Sequence, residues 1–229
     1  MLEVQIFTLY PDLYPGLLDA GIYKKAKEQQ KWSLKIVDIR DYAFDNNRTV
    51  DDTPFGGGSG MLLKPDVVAA ALDKNIKSKE KIIYLSPKGK RLDQNKVKLL
   101  SKLKKINILC GHFEGVDQRI LDYRKIEEIS VGDFILSGGE SAAIIILDAV
   151  LRLIPGVLGN EKSVKDESFK NNLLEYPQYT QPRIWNKLEV PSVLLSGNHA
   201  EIKHWRLNQS RSITQRLRPD LWIKHTKEN

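Results

Sequence analysis

The amino-acid sequence predicts an α/β fold, with a parallel sheet in the first part of the chain and a small helical domain at its end. Short apolar segments typical of strands alternate with segments of helical periodicity as far as Ile154, which is the pattern of a parallel sheet with crossover helices. Residues 160–172 are polar and aperiodic, and an arginine-rich helical stretch follows them. We therefore predict a first domain at 1–159, a flexible linker at 160–172 and a basic helical domain at 173–229.

Each element has a local signal in chain order. Residues 2–9 and 34–39 alternate or run apolar as strands, and 17–31 between them has helical spacing. A helix at 65–74 begins with a proline, which is favoured in the first helical turn. The remaining predicted elements are a strand at 81–85, a helix at 93–103, a strand at 106–110, a strand near 129 that leads into a helix at 141–154, and a helix at 199–217.

Composition limits the class of protein. The chain has 41% hydrophobic and 28% charged residues, as in soluble globular proteins. No apolar run approaches the roughly 20 residues that span a bilayer, and residues 1–4 do not resemble a signal peptide. The single cysteine, Cys110, cannot form an internal disulfide and is predicted to lie in a buried strand. These features predict a cytoplasmic protein.

The positive charge is concentrated at the end of the chain. Of the net charge of +7, residues 183–229 carry +5, from nine Lys and Arg against four Asp and Glu. The same segment holds three of the four tryptophans. Basic residues with interspersed aromatics favour nucleic-acid binding through phosphate contacts and base stacking. The alternative is a solvated helical domain whose tryptophans form its small core.

Three glycine clusters follow predicted strands or polar segments, at 55–60, 110–117 and 129–140. Glycine lets a ligand approach backbone amides closely, and Glu140 suits the positive end of the helix that begins after the third cluster. The sequence lacks the Gly-x-Gly-x-x-Gly pattern after its first strand, so a dinucleotide site of the Rossmann type is not predicted. The clusters indicate a ligand site of another kind.

Other site chemistries have little support. His199 and His204 are five residues apart, which places them on different faces of a helix, and there is no cysteine cluster, so no metal ligands are predicted. Ser137 lacks the preceding glycine of a nucleophile elbow. His112 is predicted to be a loop residue with a backbone partner.

Several strings of the sequence resemble one known family. They are Tyr-Leu-Ser-Pro at 84–87, Cys-Gly-His-Phe-Glu-Gly-Val-Asp at 110–117, the segment 130–140, Ile-Pro-Gly-Val-Leu-Gly at 154–159, and Leu-Leu-Ser-Gly-Asn-His-Ala-Glu at 194–201. In this order and without large insertions, they resemble the bacterial tRNA (guanine-N1)-methyltransferase family TrmD, in the SPOUT superfamily. The resemblance covers nearly the whole chain.

The resemblance implies a SPOUT-type parallel sheet with a deep trefoil knot, a flexible linker, a small all-helical C-terminal domain, and a homodimer with shared active sites. It implies transfer of a methyl group from S-adenosylmethionine to N1 of the guanosine immediately 3′ of the tRNA anticodon, which supports reading-frame maintenance. A Mg²⁺ ion is implied without an assigned site. The partners implied are tRNA and a second copy of the chain, with no membrane and no DNA.

The resemblance also assigns the cofactor residues. Backbone groups between Leu85, Val131 and Leu136 would bind the adenine, and Glu114 would lie near the positive end of the cofactor. Phe113 stands where the family often has tyrosine, and Ala142 where it often has proline. The full set of candidate cofactor-binding residues is Tyr84, Leu85, Ser86, Pro87, Gly111, Phe113, Glu114, Gly115, Val131, Gly132, Asp133, Phe134, Ile135, Leu136, Gly138 and Gly139.

The catalytic and tRNA-binding residues are assigned in the same way. Counting from Arg152, the position of the family's general base is Glu167, with Asp166 as the alternative, and Arg152 matches the arginine that stabilises charge on the guanine. In the family, the segment 48–60 and the tail motif meet the cofactor loops across the dimer interface. The candidate tRNA-binding residues are Asp51, Gly57, Gly58, Ser196, His199, Lys203, Arg206 and Arg211.

Two other functions remain open at this point. One is a SPOUT methyltransferase that acts on ribosomal RNA or on another tRNA position. The other is an RNA-binding module without catalysis, in which the glycine clusters are only turns. Stabilisation by S-adenosylmethionine would exclude the second.

Overall fold

A computed structural model describes residues 1–77, 80–158 and 168–228. The chain divides into two compact units, Met1–Gly159 and Asn160–Asn229. The bounds of the first unit equal those of the predicted first domain. None of the helices in the described ranges is long and apolar enough to cross a membrane.

The first unit contains a five-stranded parallel sheet with helices on both faces. Its strands are β1 (Leu2–Thr8), β2 (Trp32–Asp38), β5 (Ile82–Arg91), β6 (Lys105–Leu109) and β7 (Glu127–Ser130), and a separate antiparallel pair is formed by β3 (Asp51–Asp52) and β4 (Leu62–Leu63). Its helices are α1 (Gly21–Glu28), α2 (Pro65–Asn75), α3 (Gln94–Leu100), α4 (Gln118–Arg124) and α5 (Gly139–Leu151). The sheet order is β2-β1-β6-β5-β7, with every neighbouring pair parallel. The predicted α/β class with a parallel sheet is confirmed.

Alternation of side chains along the central strands produces two apolar cores. Val4 and Ile6 of β1 face α1, α3 and α5, whereas Phe7 faces α2 and α4. Because successive side chains of a strand point to opposite faces, a strand that is buried on both sides must be apolar at nearly every position. This explains why β1 and β6 carry so few exposed residues.

The first predicted helix is shorter than expected. Residues Gly16–Asp19 form a 3₁₀ turn, and α1 begins only at Gly21. Ala20 is extended, with a φ of −126° and a ψ of 158°, and Gly21 has a positive φ of 54°, so the helix is interrupted at these two residues. Helical spacing of apolar residues continues through this break and therefore did not reveal it.

The second unit consists of α6 (His199–Leu217), α7 (Pro219–Glu228), short 3₁₀ turns, and an antiparallel pair, β8 (Ile184–Trp185) with β9 (Leu188–Glu189). The prediction of an all-helical domain therefore omitted a short strand pair. The predicted linker also ends earlier, because Lys170–Asn172 forms a 3₁₀ turn and the Asn171 carbonyl lies 2.8 Å from Nδ1 of His225. Residues 159–167 lie outside the described ranges.

Candidate active site

A cleft opens where the carboxyl ends of β5, β6 and β7 meet at one edge of the sheet. Its volume is about 240 Å³. This is the edge at which open parallel sheets bind ligands. The lining residues come from three loops and the start of α5: Tyr84, Leu85, Ser86, Pro87, Gly111, His112, Phe113, Glu114, Gly115, Ile129, Ser130, Val131, Gly132, Phe134, Ile135, Leu136, Ser137, Gly138, Gly139 and Ala142.

The first loop is a bulge in β5. Leu85 and Lys90 both pair with Ile129 of β7, so the four residues between them leave the ladder, and two of them, Ser86 and Pro87, line the cleft. A side chain at Gly89 would overlap the backbone of Ile129. Only glycine at this position allows the strand to resume so close to β7.

The second loop, 111–115, is held in an unusual backbone conformation. Phe113 has a φ of 57° and Gly115 a φ of 118°, and the Gly115 amide donates to the His112 carbonyl at 2.9 Å. The Glu114 amide donates to the Met61 carbonyl at 2.9 Å. A non-glycine residue at positive φ costs free energy, so tertiary contacts must impose the loop's shape.

The end of the segment 48–60 meets the second loop within one chain. The predicted contact of this segment with the cofactor loops across a dimer interface stays a prediction. A Cβ at Gly60 would lie 2.5 Å from Cγ of Glu114, and the Leu63 amide donates to the Gly115 carbonyl at 2.9 Å. Distance in sequence was a poor guide because β3 and β4 return the chain to this edge.

The third loop leads into α5 and is joined to the second loop. The Gly139 amide donates to the Gly111 carbonyl at 2.9 Å, and His112 forms an isolated bridge with Gly138. A Cβ at Gly139 would lie 2.8 Å from Cα of Cys110. The two loops can therefore approach only because 138 and 139 are both glycine.

A buried carboxylate connects this junction to β1. Glu140 is 4% exposed; its Oε1 accepts a hydrogen bond from the Thr8 hydroxyl at 2.6 Å, and its Oε2 lies 2.9 Å from Nε2 of His112. His112 lies in a loop, as predicted, but its imidazole pairs with this carboxylate instead of a backbone group, and it lies 4.6 Å from the ring of Tyr10. A buried carboxylate needs such partners. Glu140 thus joins the end of β1, the second loop and α5.

Cys110 is buried next to Glu140 and its hydrogen-bond partners. Its Sγ is 3.6 Å from the Tyr14 hydroxyl, and that hydroxyl donates to the Glu140 carbonyl at 3.4 Å. Burial, and then the negative charge of Glu140, raises the pKa of the Cys110 thiol well above its usual range. The thiol is therefore neutral in the folded protein.

We expect Cys110 to resist a thiol reagent until the protein unfolds, because the reagent needs both access and a thiolate. The reaction should be about 10³-fold or more slower than in the denatured chain, as measured by release of thionitrobenzoate. A Ser137→Cys variant places a thiol on the exposed rim and should react at once. Fast labelling of Cys110 in native protein would show that the core opens without unfolding.

Apart from Asp133, every residue predicted to bind the cofactor lines the cleft. Asp133 instead pairs with Arg91, at 3.4 Å. Sequence reasoning missed five lining residues, which are His112, Ile129, Ser130, Ser137 and Ala142. His112 and Ser137 lie between predicted residues, and the other three lie just before or after a predicted segment, so closeness in sequence was the available signal. Contact of any of these residues with a cofactor stays a prediction.

The predicted catalytic residues are only partly described. Arg152 follows the last turn of α5, at the opposite end of the helix from the cleft. Its charge lies near the Tyr23 hydroxyl, whose pKa is raised by burial and by Asp148 and lowered by Arg152. Asp166 and Glu167 lie outside the described residues, so the structure does not test their role.

The predicted tRNA-binding residues fall on both units. Asp51 pairs with Leu63 in the strand pair, whereas Gly57 and Gly58 lie in an exposed loop. In the second unit, Ser196 accepts a hydrogen bond from the Asn198 amide, and the Asn198 side chain caps α6. His199, Lys203, Arg206 and Arg211 are all exposed on that helix.

No metal centre is visible in the ranges 1–77, 80–158 and 168–228. There, no group of three or more His, Cys, Asp or Glu side chains could hold an ion. The Mg²⁺ implied by the resemblance therefore has no protein cage among these residues, and the requirement for it stays a prediction.

Comparison with known proteins gives a consistent result. The family described as tRNA (Guanine-1)-methyltransferase TrmD matches residues 2–224. A tRNA (guanine-N(1)-)-methyltransferase of Pelagibacter ubique is 63% identical over 227 residues, which is 99% of this chain and 100% of the relative. Enzymes of the same name from Rhodospirillum rubrum and Brucella canis are each 50% identical, over 98% of this chain and 94% and 92% of their own lengths. The chain thus belongs to the TrmD family of tRNA (guanine-1)-methyltransferases.

Proposed function

We propose that this tRNA (guanine-N1)-methyltransferase modifies the guanosine immediately 3′ of the anticodon, and thereby supports reading-frame maintenance. Methyltransferases of this family use S-adenosylmethionine, which supplies the methyl group as a positively charged sulfonium. The observation that carries the proposal is the cleft built by three glycine loops at the carboxyl ends of β5, β6 and β7.

The cleft suits S-adenosylmethionine chemically. Leu85, Val131 and Leu136 supply apolar side chains and backbone groups for a flat adenine. Glu114 is exposed at the rim and provides a negative charge opposite the positive end of the cofactor. The glycine junction at 138 and 139 joins the second and third loops, which together line the cleft.

Catalysis requires a base for the substrate. N1 of guanine carries a proton at neutral pH, so the proton must leave before N1 can attack a methyl group. We assign this step to Glu167, with Asp166 as the alternative, and we assign the stabilisation of developing charge at O6 to Arg152.

The length of α5 supports an active site shared by two subunits. The helix starts at the cleft with Gly139 and has 13 residues, so Arg152 follows roughly 20 Å away along the axis. That is farther than one arginine side chain reaches. Arg152 can serve the cleft of a partner. The Gly16–Asp19 turn packs on α5, and two apolar residues there are exposed, Leu17 (73%) and Ile145 (46%). This exposed apolar surface supports a homodimer interface at that place.

The path of the chain through the three loops supports the implied trefoil knot. The end of β5 pairs with Ile129 and Ser130 beyond its bulge, and the chain then returns to bind the loop at Gly111. Knots are rare in proteins, so this assignment needs its own test. Mechanical unfolding from the two ends of the first unit should give an extended chain shorter than its full contour length.

The charged tail supports tRNA as the macromolecular partner. The exposed side chains of Lys203 and Arg211 on α6 can neutralise phosphates. We assign tRNA binding to a basic C-terminal domain and place the enzyme in the cytoplasm, where tRNA is modified. Neither DNA nor a membrane has a role in this function.

One experiment separates the candidate functions. The protein is incubated with S-adenosylmethionine and a tRNA transcript, and the methylated nucleotide is mapped. Methylation at N1 of the guanosine 3′ of the anticodon would support the proposal. A product at another tRNA position, or methylation of ribosomal RNA but not of tRNA in a parallel reaction, would replace it with the first alternative. Absence of cofactor-induced thermal stabilisation would favour a binding module.

Gly138→Ala should weaken binding of S-adenosylhomocysteine about 10-fold, because the added methyl would overlap the His112 ring and lie 2.6 Å from Glu140 Oε2. Titration calorimetry measures this effect, and Ser141→Ala is the control at an exposed neighbour that does not line the cleft. The affinity for tRNA should not change. Normal cofactor affinity in Gly138→Ala would show that the glycine junction does not shape the site.

A further inference from the structure

The second unit contains a concave slot in which Arg206 is the one residue already assigned a function. It is lined by the segment that precedes β8, by residues between β9 and α6, and by Arg206 of α6, and its volume is about 400 Å³. The lining residues are Tyr176, Pro177, Gln178, Tyr179, Thr180, Gln181, Arg183, Val190, Leu194, Leu195 and Arg206. These residues include two arginines and no Asp or Glu, so the slot favours an electron-rich or anionic ligand.

Flat groups form much of the slot. The guanidinium carbon of Arg206 lies 4.8 Å from the centre of the Tyr176 ring, which holds this side chain against the wall. Tyr179 is 49% exposed, and its ring lies 6.3 Å from that of Trp205 with an angle of 55° between the two planes. A half-exposed aromatic ring offers a face on which a base can stack.

The polar groups suit a flat heterocycle. Gln181 carries a side-chain amide with both a donor and an acceptor, and the Thr180 hydroxyl can act in either role. The Gln178 amide already donates to Glu175 Oε1, at 2.5 Å, which leaves its oxygen as an acceptor. Such groups at the edge of an aromatic platform can pair with the edge of a nucleobase.

We propose that this slot binds one unstacked nucleobase of the substrate tRNA, between the Tyr179 ring and the guanidinium plane of Arg206. The proposal deepens the proposed function, because it rests on tRNA being the substrate. It also gives Arg206, which the sequence analysis named only as a candidate tRNA-binding residue, a specific contact with a base. Lys203 and Arg211, which are exposed on the same helix, would bind the backbone that flanks this base.

Stacking and phosphate contacts respond differently to salt, which gives the test. Tyr179→Leu should weaken tRNA binding about 5- to 100-fold without changing the salt dependence, because stacking involves no counterion release. Arg206→Lys keeps the charge but loses the planar group and should behave in the same way. Lys203→Ala is the matched phosphate control and should lower the slope of log K against log salt by about 0.7–0.9.

Three further measurements guard against loss of folding. Tyr179→Phe should bind like the unmodified protein, the melting temperature of Tyr179→Leu should stay normal, and its affinity for S-adenosylhomocysteine should not change.

A fluorescent base analogue identifies the nucleotide that enters the slot. The fluorescence of 2-aminopurine, placed in turn at unpaired positions of the anticodon arm, should be quenched at one position, and Tyr179→Leu should remove that quenching.

The outcomes separate this inference from the proposed function. If either Tyr179→Leu or Arg206→Lys binds tRNA as tightly as the unmodified protein, the slot does not bind a base. If the unmodified enzyme still methylates N1 of the guanosine 3′ of the anticodon, the proposed function survives that result. Quenching at one position without any methyl transfer would instead leave the slot supported and overturn the function.

Discussion

Glu167→Gln should lower the rate of methyl transfer roughly 10²–10⁴-fold, since removing a general base costs that much. The amide cannot accept the N1 proton, so guanine stays a poor nucleophile. Binding of S-adenosylmethionine should remain near normal, because the residues predicted to bind the cofactor are unchanged and the substitution removes only the acceptor for the N1 proton. A single-turnover assay with saturating tRNA measures the chemical step separately from binding.

Asp166→Asn is the matched control for this experiment, since it makes the same chemical change one residue earlier. We expect it to retain most of its activity. If Asp166→Asn is inactive and Glu167→Gln is active, the base is Asp166. If both variants are active, neither carboxylate removes the proton and the assigned mechanism is wrong.

A mixture of two inactive variants should recover activity if Arg152 acts in the partner's cleft. Gly138→Val blocks the cleft of its own chain, and Arg152→Gln removes the charge that its chain would contribute to the other subunit. In a heterodimer, one site then carries both defects and the other carries neither. Random pairing at equal amounts should restore about one quarter of all sites, from a background near zero.

The reverse mixture gives the opposite result and is the control. A chain with both substitutions, paired with the unmodified chain, has one defect in each site of the heterodimer and should be inactive there. If Arg152 acts within its own chain, the double variant would instead leave one intact site, and the first mixture would show no recovery. The two mixtures thus distinguish the two arrangements without a structure of the dimer.

Sequence patterns predicted the elements that have strong local signals. Alternation and apolar runs identified β1, β2 and β6, and helical spacing with a proline at the first turn identified α2. The four-residue strand β7 and the seven-residue helix α4 were not predicted with their bounds, because so few residues hold too little periodicity. The continuation of β5 to Arg91 depends on pairing with β7 beyond a bulge, which no local pattern encodes.

The candidate site shows the same division between local and distant information. Glycine clusters and family strings lie within single loops, so they pointed to the cleft directly. The pairing of Thr8 with Glu140 joins residues 132 apart, and His112 reaches Glu140 across 28. Such pairings follow from the order of the strands in the sheet, and the periodicity of apolar residues along the sequence does not reveal that order. Arg152 was assigned by resemblance alone, and only the length of α5 indicates which subunit's cleft it can serve.

The closeness of Gly138 to His112 and Glu140 has a consequence for how this enzyme can vary among organisms. Any side chain at 138 meets the imidazole at 112 and the carboxylate at 140, so a change at one position alters what the other two can accommodate. Substitutions at these three positions should therefore be correlated in an alignment of relatives. A larger residue at 138 is expected only together with a shorter one at 112, as a joint replacement that neither position tolerates alone.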